Sequence, residues 1–127
     1  MVSSHLIKEQ DGLFQMDWEI AIPGKYAQEA LITIKKHVKK YKTCLPLIGV
    51  FIRFAQSEDK TLLGYTHADG EDWVDGEPVV YFEMPVYIPL GFSEESMANY
   101  EEQYVEFSKM LIEKFKGRPH WLSLIHI

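Results

Sequence analysis

Between Leu13 and Tyr41 the hydrophobic period changes once, from that of a strand to that of a helix, and the change falls on Pro23-Gly24. Before the break, Phe14, Met16, Trp18, Ile20 and Ile22 alternate with Gln15, Asp17, Glu19 and Ala21, the pattern of a strand covered on one face. After it, Ala27, Ala30, Leu31, Ile34, Val38 and Tyr41 recur at helical spacing, which predicts an amphipathic helix over 25–41. A strand that runs straight into such a helix needs a shared core, so the helix is expected to cover one face of a sheet.

The rest of the chain extends the pattern. Leu47 to Ala55 is β-branched and aromatic and reads as a strand buried on both sides, with Arg53 the one charge inside it. A turn cluster from Gln56 to Lys60 follows, then a possible short strand over 61–66 and an acidic, turn-rich connection over 69–78. Val79 to Ile88 alternates again as a strand. Ser93 then caps a helix that carries Glu94 and Glu95 at its positive end. The stripe of this helix is Met97, Tyr100, Tyr104, Phe107, Leu111 and Phe115, and Gly117 with Pro119 is expected to stop it. The fold class is α+β: an antiparallel sheet with two amphipathic helices on one face, in strand-helix-strand-(strand)-strand-helix order. At 127 residues one core is expected, with 13–121 as the domain, 1–12 as an N-terminal extension and 122–127 as an atypical tail.

Charge and cysteine usage exclude several functions. A net charge of -6 disfavours a nucleic-acid partner. Lys35, Lys36, Lys39, Lys40 and Lys42 lie along one side of the first helix and read as its solvated face. Cys44 is alone, so no internal disulfide and no thiolate metal cage can form, and no metal is expected. No apolar run approaches the ~20 residues of a membrane span, and Met1 to Gln10 lacks the order of a secretory signal. Of the five histidines, all but His120 read as surface or loop residues.

Gly117-Arg118-Pro119-His120-Trp121, directly after an aromatic-rich helix, resembles the aldonolactone oxidases, flavoproteins of the vanillyl-alcohol-oxidase fold that include the gulono-, galactono- and arabinono-lactone enzymes. Trp18 to Pro23 is similar to the family's strand ending in Ala-Ile-Pro. Ile52-Arg53-Phe54 is similar to its Val-Arg-Phe strand, and Tyr87 to Gly91 to its Tyr-x-Pro-x-Gly. The resemblance implies a C-terminal cap domain that faces a sugar-lactone or polyol substrate. It also implies FAD held mainly by an N-terminal flavin-binding domain absent from this chain, without which the chain is expected to be inactive. Two positions depart from the pattern: Phe51 stands where the family's Glu-x-Arg has its carboxylate, and Ser123 where His-Trp-x-Lys has its lysine. Relatives are often membrane-associated, which need not involve this segment.

Arg53, between apolar neighbours, must be paired or line a cavity. Two readings stay open: an ion pair with Glu19 or Glu83, and a catalytic, substrate-binding role in which the guanidinium steadies charge on a substrate oxygen. His120 is either a loop histidine closing the helix or a catalytic, cofactor-facing ring beside the flavin. Glu19, on the polar side of its strand, is either solvated or substrate-binding. Trp121 and the Tyr100-Tyr104 pair read as packing. Against the oxidase reading stands a non-catalytic α+β binding or scaffolding module that keeps the cap fold, which the two departures would suit.

Overall fold

The computed structural model describes residues 8–10, 13–40, 49–60, 64–89, 91 and 93–120, and the side chains of 17–40, 49–60, 64–85, 91, 93–96, 98–99 and 102–120. The elements run β1 (Lys8–Gln10), β2 (Leu13–Pro23), a 3-10 turn (Gly24–Tyr26), α1 (Ala27–Lys40), β3 (Phe51–Gln56), β4 (Pro78–Pro89), α2 (Glu94–Phe115) and β5 (Arg118–Pro119). The sheet is antiparallel, in the order β1-β2-β4-β3, and β5 pairs with β2. Its spine is the pairing of β2 with β4, which keeps one register from Leu13 opposite Pro89 to Pro23 opposite Val79.

Alternation decides which face each strand residue serves. Trp18, Ile20 and Ile22 of β2 and Val80, Phe82 and Met84 of β4 meet Ala30 and Ile34 of α1 and Tyr104, Phe107, Leu111 and Phe115 of α2. Both helices therefore lie on one face. Trp18 stacks on Tyr104 with ring centroids 5.2 Å apart, and burying each such large side chain stabilises the fold by roughly 1.5–3 kcal/mol. His37, expected at the surface, instead stacks on Phe107 at 4.5 Å, and burial lowers its pKa.

The other face carries a smaller core of Ala21, Val79 and Trp73, flanked by Tyr65 and Tyr81. Trp73 and Tyr65 come from the β3–β4 connection, whose neck is closed by Ser57 N–H donating to Glu77 O (3.0 Å) and Gly76 N–H to Ser57 O (2.8 Å). Arg118 of β5 fastens this connection to the sheet. It donates to His67 O and to Asp69 Oδ2, each at 2.5 Å, and its guanidinium lies 4.3 Å over the Trp73 ring.

Three expectations need correction. β3 is not buried on both sides: among the described residues it pairs only with β4, and Phe51, Ile52 and Phe54 are exposed, Phe54 at 77%. It is an edge strand that the helices, seated over β2 and β4, leave uncovered. In α1, Ala30 and Ile34 are buried while Leu31 and Val38 are exposed, so its seat is narrower than its apolar stripe. Nor does Gly117 end α2 by its own conformation, since the left-handed residue is Lys116, at φ 57°. Over 64–66, the described part of the possible short strand, the backbone turns, and Glu58 and His67 form an isolated bridge. The side chains of Met97 and Tyr100, together with Cys44, Trp121 and the tail 122–127, lie outside what is described.

Candidate functional site

The helix-free face gathers the charges. Glu19 and Glu83 are opposite one another in the β2–β4 ladder, and Arg53 pairs with Tyr81 in the β3–β4 ladder. Because β-strand side chains alternate, all four project from the face that α1 and α2 do not cover. Arg53 Nη2 donates to Glu19 Oε2, Arg53 Nε lies 3.6 Å from Glu83 Oε2, and its guanidinium sits 5.5 Å from the Tyr81 ring centre. The Tyr65 hydroxyl donates to the other Glu19 oxygen, Oε1.

His120 arrives from the opposite edge. β5 pairs Pro119 with Ile20 and Arg118 with Ala21, and the His120 N–H continues the ladder by donating to Glu19 O at 2.9 Å. Its ring meets the Tyr65 ring edge-on, with centroids 5.2 Å apart and planes at 90°. Arg53, Glu19 and His120, the three residues singled out in the sequence, thus converge on one cluster with Tyr65 at its centre. Periodicity could not reveal Tyr65, which lies in an irregular connection.

The Arg53 side chain is 59% exposed and that of Glu19 only 13%. The hydrogen bond and charge of Glu19 raise the Arg53 pKa further, keeping the guanidinium cationic. Burial, and then the hydrogen bond to Glu19, push the Tyr65 phenol well above its usual range, so it stays a protonated donor. With Tyr65 and Arg53 each on one oxygen, Glu19 serves as an anchor for the arginine, and the exposed guanidinium can meet a ligand oxygen.

A cleft of about 150 Å³ opens elsewhere, between the β2–α1 junction and the β3–β4 connection, and is lined by Gly24, Lys25, Asp72, Trp73 and Pro78 among others. In it Lys25 Nζ is 2.9 Å from Asp72 Oδ1, which also accepts from the Tyr26 hydroxyl at 2.9 Å, and Glu77 adds a further carboxylate to the lining. It includes none of Arg53, Glu19 and His120.

Residues 6–123 match a family model described as ALO: D-arabinono-1,4-lactone oxidase. The chain belongs to this family. It is also similar to the probable 5-dehydro-4-deoxyglucarate dehydratase of Bacillus subtilis (strain 168), with 28% identity over 95 residues. That match covers 71% of this chain but 31% of the relative, so the chain spans about a third of that protein's length.

The family landmarks read in the sequence fall on the structure that frames the site. Trp18 to Pro23 is the C-terminal half of β2, Ile52 to Phe54 lies in β3, and Arg118-Pro119 is β5, leading into His120. Where Phe51 replaces a carboxylate two residues before the arginine, Glu19 brings one from β2. Members of the family generally depend on FAD, and this chain meets the demands of that group unequally. At the Pro23-Gly24 strand-to-helix junction, a Cβ on Gly24 would come within 2.7 Å of Pro78 O, so this glycine serves close packing against β4, and the cleft beside it is lined by the carboxylates of Asp72 and Glu77, which do not suit a diphosphate. Arg53, by contrast, offers an exposed guanidinium beside the Tyr65 and His120 rings, which suits the ring and substrate side.

Proposed function

We propose that the chain is the substrate-side domain of a FAD-dependent sugar-1,4-lactone oxidase, with 13–121 as the cap and the nucleotide held by a separate flavin-binding domain. The observation that carries this reading is the convergence of Arg53, Glu19, Tyr65 and His120 on the helix-free face of a family member's sheet. Arg53 binds the lactone through its exposed guanidinium and steadies the negative charge that develops on the substrate hydroxyl oxygen as its proton is lost to solvent, the charge collapsing into the new carbonyl when the same carbon gives up hydride. Glu19 orients Arg53. His120 is the ring that borders substrate and flavin in this reading, a role its contact with Tyr65 supports. When bound, FAD supplies the hydride acceptor and passes the electrons on to oxygen or another acceptor. The chain itself excludes water and fixes the substrate's approach, and alone it is inactive.

The test joins this chain to the flavin-binding domain of a family member and measures oxidation of D-arabinono-1,4-lactone. Turnover that Arg53→Ala abolishes, with flavin content unchanged, is the expected result. A flavin-loaded, folded chimera that neither binds nor oxidises sugar lactones or polyols would favour a non-catalytic module that keeps the cap fold.

A further inference from the structure

Two carboxylates compete for one guanidinium in this cluster. Glu19 and Glu83 face each other across β2 and β4, where like charges repel, and Arg53 lies against both. Glu83 is the more exposed carboxylate, with 35% of its side chain accessible against 13% for Glu19, yet Arg53 makes its hydrogen bond to Glu19. Charge alone gives no reason for that preference, since both partners carry the same formal charge. Lower exposure favours Glu19, whose attraction for Arg53 is less screened by solvent, and the Tyr65 hydroxyl, holding Glu19 Oε1, leaves Oε2 for Arg53.

We infer that Tyr65 is the positioning residue of this site: through Glu19 it selects the carboxylate that holds Arg53 and thereby fixes the direction of the exposed guanidinium. Tyr65 is in turn held on every side. Its ring meets Tyr81 edge-on at 5.6 Å and His120 at 5.2 Å. Its carbonyl accepts from Arg118 Nη1 at 3.4 Å, and the neighbouring His67 O accepts from the same nitrogen at 2.5 Å. Arg118 therefore seats the segment that carries Tyr65, and Tyr65 touches both His120 and the carboxylate that orients Arg53. A tyrosine that merely filled space would not need its hydroxyl, whereas this role rests on that one donor.

The inference rests on the proposed function only for the identity of the ligand, and the experiment separates the two. Tyr65→Phe keeps the ring and its edge contacts but removes the donor. Nitrogen-resolved NMR of the Arg53 Nη2 protons in the full chain reports how firmly the guanidinium is held on Glu19, and titration with D-arabinono-1,4-lactone reports binding. We expect Tyr65→Phe to speed exchange of the Arg53 Nη2 protons severalfold and to weaken lactone binding about tenfold, the scale of one hydrogen bond to a charged group. Its thermal melt should stay close to the parent's. Unchanged Arg53 exchange in a folded Tyr65→Phe protein overturns the positioning role, whatever the lactone does. If the parent chain shows no lactone-induced shift at Arg53, the lactone reading fails while the exchange measurement still decides the role of Tyr65. Should Tyr65→Phe not fold, Glu19→Gln supplies the second route. It keeps the shape of the side chain, and loosening of Arg53 with a fall in the Tyr65 phenol pKa supports the chain of contacts, whereas neither change refutes it.

Discussion

Glu19 and Glu83 stand directly opposite each other on β2 and β4, and Arg53 reaches across from β3 to both. Like charges in that relation destabilise a sheet, and the guanidinium offsets the repulsion. The arginine is thus held in place by the ladder itself. A side chain pinned at one end and more than half exposed at the other is suited to orienting a ligand, and contributes little to stability through an ion pair screened by solvent.

In a chimera with a family member's flavin-binding domain, Arg53→Lys should lower turnover far more than stability, and Phe107→Ala should do the reverse. Lysine keeps the charge but cannot hold Glu19 and a ligand oxygen in one planar fork. Phe107 is 3% exposed in the main core, where truncation typically costs ~3–5 kcal/mol. Steady-state kinetics with a sugar lactone and thermal melts on both variants test the contrast. A kcat/KM for Arg53→Lys within about twofold of the parent, below ~0.5 kcal/mol of transition-state stabilisation, would remove Arg53 from the site.

The architecture was legible because its signals are local. Alternation in β2 and β4, the break at Pro23-Gly24 and the Ser93 cap each depend on residues a few positions apart, and Ser93 Oγ does accept the Ser96 N–H at 3.1 Å. What stayed hidden depends on distant pairing. An apolar run such as Phe51 to Phe54 looks the same in sequence whether its strand is central or at an edge, and only the β1-β2-β4-β3 order exposes it. Glu19 was weighed as a partner of Arg53, but its anchoring by Tyr65, 46 residues away, carries no periodic signal. Trp73 lies in an acidic, turn-rich stretch, yet it is 2% exposed beneath Arg118.

Tyr65 should make the fold sensitive to alkali. Its phenol pKa is raised by burial and then by Glu19, so the folded chain keeps a proton that the unfolded chain releases near pH ~10. The stability this supplies is complete below pH ~10 and is lost progressively as pH rises above it. The denaturant midpoint of the parent should therefore fall relative to that of Tyr65→Phe between about pH 8 and about pH 11. A difference that is constant across that range would show that the phenol is not perturbed.

Purified alone, the chain should not retain FAD. Asp72 and Glu77 line the cleft beside the Pro23-Gly24 junction, and the exposed guanidinium of Arg53 stands beside Glu19 and Glu83, carboxylates that disfavour a diphosphate at either place. Protein mixed with FAD and desalted should be colourless. Flavin absorbance that survives desalting would mean that this domain carries its own cofactor site.

The end of α2 separates two uses of glycine that look alike in sequence. Lys116 adopts the left-handed conformation at φ 57°, where its N–H donates to Leu111 O, and a side chain in that region costs roughly 1–2 kcal/mol. Gly117 is required for a different reason: a Cβ there would lie 2.9 Å from Ile20 Cδ1 and 3.1 Å from Leu111 O. Its own N–H also donates to Leu111 O, at 3.2 Å, so the backbone cannot easily withdraw. Lys116→Gly should therefore stabilise the chain by up to about 1 kcal/mol, while Gly117→Ala should destabilise it by about 1–3 kcal/mol through overpacking against β2. Because Arg118 and His120 follow immediately, Gly117→Ala should also disturb the Tyr65–His120 contact, which would appear as a shifted His120 ring signal in the same NMR spectra. Equal, small effects of the two substitutions on the melting temperature would mean that the turn tolerates a side chain at Gly117, and that β5 is not seated on β2 as tightly as these distances require.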